Sequence, residues 1–222
     1  MATRELNGAV VAVIGATGGL GKQIVAALAG RGATVVRCNR SGGPDSDLAI
    51  DLRDVGAGDL LVEYVTATHG RLDGVVIAAG IVAFGDLVDT DDVVIEELFL
   101  TNAMGPMWLA KRVAAPLQAS QGFFVNLSGV VAESPMPGMA AYSASKAAAA
   151  AATESIRREF RRMKVAVIDV RPPHTETGLA TRPLAGDAPK MPTGLEPQVV
   201  AERVVAAIER GDSAVASTDF AT

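Results

Sequence analysis

Cysteine occurs once in the 222 residues, at Cys38, and histidine twice, at His69 and His174. A single cysteine excludes an intrachain disulfide and fits a reducing compartment. With the two histidines far from it in the chain, no zinc-type ligand set can be written, so no metal is expected. Aromatic residues make up only 4%. The core must therefore be built from Ala, Val, Leu and Ile, as in parallel sheets buried between helices. No charge-free run of about 18 apolar residues occurs, which removes a membrane-spanning helix. The opening MATRELNGAVVAVIG lacks the basic-then-apolar form of a secretory signal. A net charge of −5 offers no basic footprint for nucleic acid. The expectation is a cytoplasmic protein with neither a nucleic-acid nor a membrane partner.

Hydrophobic residues, by contrast, reach 49%, ample for a packed core, and the length suits one domain over 1–222. AVVAVIG (9–15) is a continuous apolar run ending in glycine, the pattern of a buried parallel strand. LGKQIVAALAGRG follows with helical spacing and a glycine stop. ATVVRC, a short DLAID, LDGVVIAAG, GFFVNLSG, KVAVIDVRP and SAVAS read as further strands. Helices are predicted in DLLVEYVTATHG, in one long stretch over 91–117, from the Tyr142 region to about Met163, and in EPQVVAERVVAAIER. Only about ten residues separate Ser41 from Asp51, too few for a crossover helix. Strands alternating with helices imply right-handed crossovers and an α/β, Rossmann-like, doubly wound parallel sheet with helices on both faces. The least regular stretch, 172–197, is rich in Pro and Gly and is expected to be a substrate-binding lid.

Two local patterns carry chemistry. VIGATGGLGKQIV places Gly15, Gly18, Gly19 and Gly21, with Thr17 and Leu20 among them, between the first strand and the first helix. Glycines allow close backbone approach to a pyrophosphate, and the helix N-terminus offers free N–H groups and the positive end of a dipole. The spacing is G-x-x-x-G-x-G. It is neither the strict G-x-G-x-x-G nor a P-loop, because Lys22 follows the last glycine directly. Tyr142 and Lys146 open a helix that continues as six alanines, Ala147 to Ala152. Four residues apart on a helix, they share one face.

The glycine pattern, Thr101-Asn102, NLSG (126–129), YSASK (142–146) and RPP (171–173), in this order, resemble the short-chain dehydrogenase/reductase (SDR) family. The resemblance runs from about Leu6 to Arg210. It implies an NAD(P)-dependent oxidoreductase that interconverts a small-molecule carbonyl and alcohol by hydride transfer, assembled as a homodimer or homotetramer. A free phenol has a pKa near 10, and a neighbouring ammonium stabilises phenolate. In the family's pattern Tyr142 would be the general acid/base. Lys146 would lower its pKa and hold the nicotinamide ribose, and Asn102 would bind a water linking Lys146 to solvent. Ala79-Gly80, Asp51-Leu52, Pro172, Thr175 and Thr177 would complete the cofactor contacts.

The chain also departs from that pattern. Thirteen residues before Tyr142, where the family places a catalytic serine, stands Gly129. Ser128, one residue early, is the fourth catalytic candidate. One residue along a strand is the opposite face, so a bulge or a loop one residue longer would be needed to bring it into the site. The family's N-N-A-G is IAAG (77–80), its P-G is Pro172-Pro173, and the C-terminal STDFAT lacks the usual glycine-rich ending. In RCNRSG, Asn39 replaces the aspartate that would favour NAD, Arg40 can hold a 2′-phosphate, and Ser41 adds a hydroxyl. The cofactor expected is NADP(H), with NAD(H) possible. The competing reading is a non-catalytic or weakly active NAD(P)-binding protein of the same fold. The basic run RREFRRMK complements the dipole at a helix C-terminus and needs no polyanion.

Overall fold

The strand β1 (Val10–Ile14) is buried at every position, yet its side chains divide by parity. Val11 and Val13 pack on one side of the sheet with Ile24, Leu28, Val204 and Ile208. Val10, Ala12 and Ile14 pack on the other with Leu61, Val65, Leu109 and Val113. The period of two thus survives inside a wholly apolar strand because both faces are covered by helices. Each fully buried side chain such as Ile24 contributes about 1.5–3 kcal/mol of transfer free energy.

The computed structural model describes residues 4–220. The extreme ends of the expected 1–222 domain, including the last two residues of STDFAT, lie outside the described residues. After β1 come β2 (Thr34–Asn39), β3 (Leu48–Ala49), β4 (Gly74–Ile77), β5 (Phe123–Leu127), β6 (Ala166–Val170) and β7 (Ala214–Val215). They form one seven-stranded sheet in the order β3-β2-β1-β4-β5-β6-β7, parallel at every pairing. The helices α1 (Gly19–Ala29) and α6 (Pro197–Arg210) cover one face; α2 (Ala57–His69), α4 (Gly105–Ser120) and α5 (Ala140–Phe160) cover the other. The chain order reverses between β1 and β4, and in such sheets the crevice at that reversal is where ligands bind. No described helix is long and apolar enough to cross a membrane.

The stretch 91–117, expected as one helix, is helical throughout but not uniform. Between α3 (Asp92–Phe99) and α4 lies a π-turn over Leu100–Met104, closed by Gly105 N–H donating to the Leu100 carbonyl. The cause is Pro106. It has no N–H to give to the carbonyl four residues back, and its ring crowds that carbonyl. The carbonyl in question belongs to Asn102. Residues 171–196, between β6 and α6, contain no helix or extended strand; a parallel bridge joins Thr175 to Leu195.

Candidate active site

A cleft of about 860 Å³ opens over the C-terminal ends of the central strands. Among the sequence-derived candidates it is lined by Gly15, Thr17, Gly18, Gly19 and Leu20; by Asn39, Arg40, Ser41, Asp51 and Leu52; and by Ala79, Gly80, Ser128, Tyr142, Lys146, Pro172, Thr175 and Thr177. Gly21 and Asn102 are not in the lining and support it from behind.

At one end is the glycine loop. Gly15 has φ +87°, and a Cβ there would sit 2.6 Å from the Ala79 nitrogen on β4's extension. Gly18 N–H donates to the Gly15 carbonyl at 3.0 Å, folding the loop beneath α1. A side chain at Gly19 would collide with the Thr177 backbone, and one at Gly21 with the Gly15 carbonyl. The N-cap of α1 is Gly18, which has no side chain to cap with, so the helix start presents bare backbone to the cleft.

Beyond β2, Asn39 is buried and its Oδ1 accepts the Gly42 N–H at 2.6 Å. It shapes the turn after the strand. Arg40 is exposed on the cleft wall with no carboxylate in salt-bridge range among the described residues. Asp51 is clamped by Arg53, whose guanidinium lies 2.7 Å from Asp51 and 2.8 Å from Glu97. The hydrogen bonds from Arg53 hold the Asp51 carboxyl below its ordinary range, against a smaller effect of burial. Arg53, also in the lining, was not singled out from the sequence; its position two residues after Asp51 was the available signal. Leu52 is buried and packs where Gly105 begins α4.

At the other end, Tyr142 and Lys146 descend from the first turns of α5. Lys146 is 7% exposed, and its Nζ donates to the Leu127 carbonyl at 2.9 Å. Burial lowers its pKa to about 8, against the opposing charge of Asp169. A Cβ on Gly80 would lie 3.2 Å from both Lys146 Nζ and Asn102 Oδ1, so a glycine is what lets these groups converge. The side chain of Asn102 is fully engaged. Its Oδ1 accepts the Ile81 N–H at 3.0 Å, and its Nδ2 donates to the Ile81 carbonyl at 2.9 Å and to Ser145 Oγ at 3.1 Å. Any water held by this residue must use its main-chain carbonyl, the one Pro106 cannot serve.

Two sequence-derived expectations need correction. Ser128 is fully buried, and its Oγ donates to Asp169 Oδ1 at 2.6 Å. Its N–H and that of Gly129 both donate to the Val170 carbonyl, at 3.0 and 3.3 Å, and this doubled contact leaves the Ser128 hydroxyl on Asp169. Gly129 follows with φ +92°, and a Cβ there would meet nothing within 4 Å. The cleft thus has open space, and no hydroxyl, at the family's serine position. The second correction concerns the phenol. Burial pushes Tyr142 up to about 12, opposite to the lowering expected from Lys146. The ring packs against Val82, Phe84, Val131 and Met139, with Leu179 alongside. Desolvation by that apolar wall prevails while the ammonium is directed at the Leu127 carbonyl.

That wall was missed in the sequence, although the apolar run Ile81 to Phe84 continuing past β4's glycine was a hint. His174 also lines the cleft, with Nε2 3.4 Å from Glu176 Oε1.

A family model described as short chain dehydrogenase matches residues 9–186. The chain belongs to the short-chain dehydrogenase family and is an SDR-type oxidoreductase. It is 27% identical over 242 aligned residues to the dehydrogenase/reductase SDR family member 7B of Bos taurus, covering 96% of this chain and 74% of that protein. Among solved structures, a short chain dehydrogenase from Burkholderia cenocepacia in complex with NADP superposes with a TM-score of 0.84 at 25% identity, covering 98% of this chain and 93% of that one. A 3-ketoacyl-(acyl-carrier-protein) reductase from Brucella melitensis complexed with NADH superposes with a TM-score of 0.86 at 21% identity, covering 97% and 99%, a likeness of fold.

Proposed function

We propose that this chain is an NADP(H)-dependent oxidoreductase that reduces an apolar small-molecule carbonyl, with Tyr142 as general acid. The observation that carries the reading is a single cleft with a glycine cradle at one end and the Tyr142–Lys146 pair at the other. The cradle fits a dinucleotide because side chains at Gly15 and Gly19 would strike Ala79 and Thr177, leaving backbone to meet a pyrophosphate. Thr17, Gly18 and Leu20 would hold the phosphates, with Pro172, Thr175 and Thr177 closing over them from the 172–197 lid. Asn39 carries no charge to repel a 2′-phosphate, and Arg40 and Ser41 would bind it. Asp51 and Leu52 would flank the adenine, and Ala79 and Gly80 the ribose. Bound there, NADP(H) supplies the hydride. The relatives solved with NADP and with NADH support a nicotinamide dinucleotide in general; the choice of NADP(H) rests on Asn39 and Arg40.

A phenol raised to about 12 is fully protonated at neutral pH. It stands ready as a proton donor to a carbonyl oxygen. Lys146 would neutralise charge forming on the phenol oxygen and contact the ribose. The Asn102 carbonyl would bind the water that returns a proton. With Gly129 in place of serine, substrate orientation falls to Tyr142 and the apolar wall. The deciding experiment is a screen of aldehydes, ketones and quinones for substrate-dependent oxidation of NADPH and of NADH.

The absent serine hydroxyl favours a second reading, a dinucleotide-binding protein of this fold with little turnover. NADPH binding with no oxidation across the whole panel would establish it. A homodimer or homotetramer belongs to the first reading, and sedimentation velocity tests it.

A further inference from the structure

The segment between β6 and α6 is fastened at both ends of the cleft. At the phosphate end the Thr177 backbone lies against Gly19, where a side chain would collide with it. At the Tyr142 end, Leu184 N–H donates to the Val82 carbonyl at 2.7 Å, and Phe84 N–H donates to the Ala185 carbonyl at 2.9 Å. A side chain at Gly186 would strike the Phe84 carbonyl. Between these fastenings the chain makes a tight turn. Gly178 takes φ +71°. Leu179 N–H donates to Thr177 Oγ1 at 3.3 Å, and Thr181 Oγ1 donates to the Gly178 carbonyl at 3.0 Å. Arg182 completes the turn. Its backbone N–H donates to the Leu179 carbonyl at 3.1 Å, and its Nε donates to the Gly178 carbonyl, also at 3.1 Å.

The bond from Nε sets the direction of the side chain. Leu179 and Ala180 pack on the apolar wall around Tyr142. The Arg182 guanidinium instead folds back along the chain to Gly178, the residue after Thr177 and so the neighbour of the glycine loop. A Cβ on Gly178 would lie 3.9 Å from Arg182 Nη2. With Nε committed to the Gly178 carbonyl, both Nη groups remain as donors. Arg182 lines the cleft, and no carboxylate lies in salt-bridge range of it among the described residues.

A pyrophosphate is dianionic. The glycine loop and the start of α1 answer it with backbone N–H groups and a helix dipole worth about half an elementary charge. A formal positive charge must come from elsewhere in the lining. Lys146 is bound to the Leu127 carbonyl at the other end of the cleft. Arg53 is held by Asp51 and Glu97, and His174 lies beside Glu176. Arg40 stands past β2, where the 2′-phosphate would engage it. Among the described residues of the lining, Arg182 is the cation left over. We propose that Arg182 is the lid's contact to the dinucleotide pyrophosphate. Its planar fork suits phosphate oxygens, and a turn fastened on both sides holds it in place before the ligand arrives, which lowers the ordering cost of binding.

The proposal rests on the dinucleotide reading above, and binding tests it without turnover. Wild type, Arg182→Ala and Arg182→Lys are titrated calorimetrically with NADPH, NADH, ADP-ribose and adenosine 2′-monophosphate. The first three carry the pyrophosphate; the last carries adenine and a 2′-phosphate without it. Arg182→Ala should weaken each of the first three by about tenfold or more and leave adenosine 2′-monophosphate unchanged. Arg182→Lys, which keeps the charge and loses the fork, should recover part of the loss. Raising the ionic strength should narrow the gap between wild type and Arg182→Ala, because a charge contact is screened. A gap indifferent to salt would mean that the turn had merely been distorted, and overturns the proposal. A loss confined to NADPH overturns it by giving Arg182 to the 2′-phosphate. Unchanged affinity for all four overturns it as well, and a raised KM for anionic carbonyl substrates would then give Arg182 to the substrate. If the wild type binds none of the four, the dinucleotide reading itself fails, an outcome distinct from all the others.

Discussion

Lys146 Nζ and the Leu127 carbonyl, 2.9 Å apart, tie α5 to the end of β5. The lysine is buried there, and burial lowers its pKa from 10.5 to about 8. The unfolded chain therefore holds this proton more tightly than the folded one. Below about pH 8 both states are protonated and the full cost of burying the charge is present. As pH rises from about 8 to 10.5 the folded state sheds the proton first, and that cost is relieved. Lys146→Met should accordingly raise Tm relative to wild type at pH 7, and the gap should narrow toward pH 10. Thermal melts at a series of pH values check this; a gap independent of pH contradicts it.

Tyr142→Phe keeps the ring in its apolar pocket and removes only the proton donor. Turnover should fall by about 10²–10⁴-fold, with NADPH affinity nearly unchanged. Because burial holds the phenol at about 12, carbonyl reduction should show no limb from the phenol between pH 6 and 10. A limb near pH 8 belongs to Lys146 and should persist in the residual activity of the phenylalanine variant. Rate profiles of the two proteins decide it.

Arg40 stands on the cleft wall free of any carboxylate in salt-bridge range among the described residues. Arg40→Ala should weaken NADPH by about 1.5–3 kcal/mol through loss of a charge-assisted bond and leave NADH almost untouched. Calorimetric titration with both cofactors provides the comparison. Equal losses for the two would remove Arg40 from phosphate recognition.

Gly19→Ala should act on the cofactor and the lid together. The added methyl collides with the Thr177 backbone, so the 172–197 segment must move away from the glycine loop. Affinity for NADPH should drop at least tenfold, about 1.4 kcal/mol, while circular dichroism stays native. An unchanged dissociation constant would show that this contact is not part of the cofactor site.

The strands, the glycine loop and the face shared by Tyr142 and Lys146 were legible in the sequence because each depends on residues within a few positions. A run of apolar residues, a glycine where φ must be positive, and an i, i+4 spacing carry their meaning with them. The π-turn under Asn102 also had a local cause, Pro106, visible in advance but hidden inside an otherwise helical pattern. What only the tertiary structure decided are the relations between distant segments. Ser128 finds Asp169, 41 residues away, because β6 lies beside β5 in one register and no other. The phenol of Tyr142 is raised and not lowered because Phe84, Val131, Met139 and Leu179, from three separate loops, close around it. Spacing placed the tyrosine and lysine on one face; desolvation, a property of everything packed around them, determined their protonation.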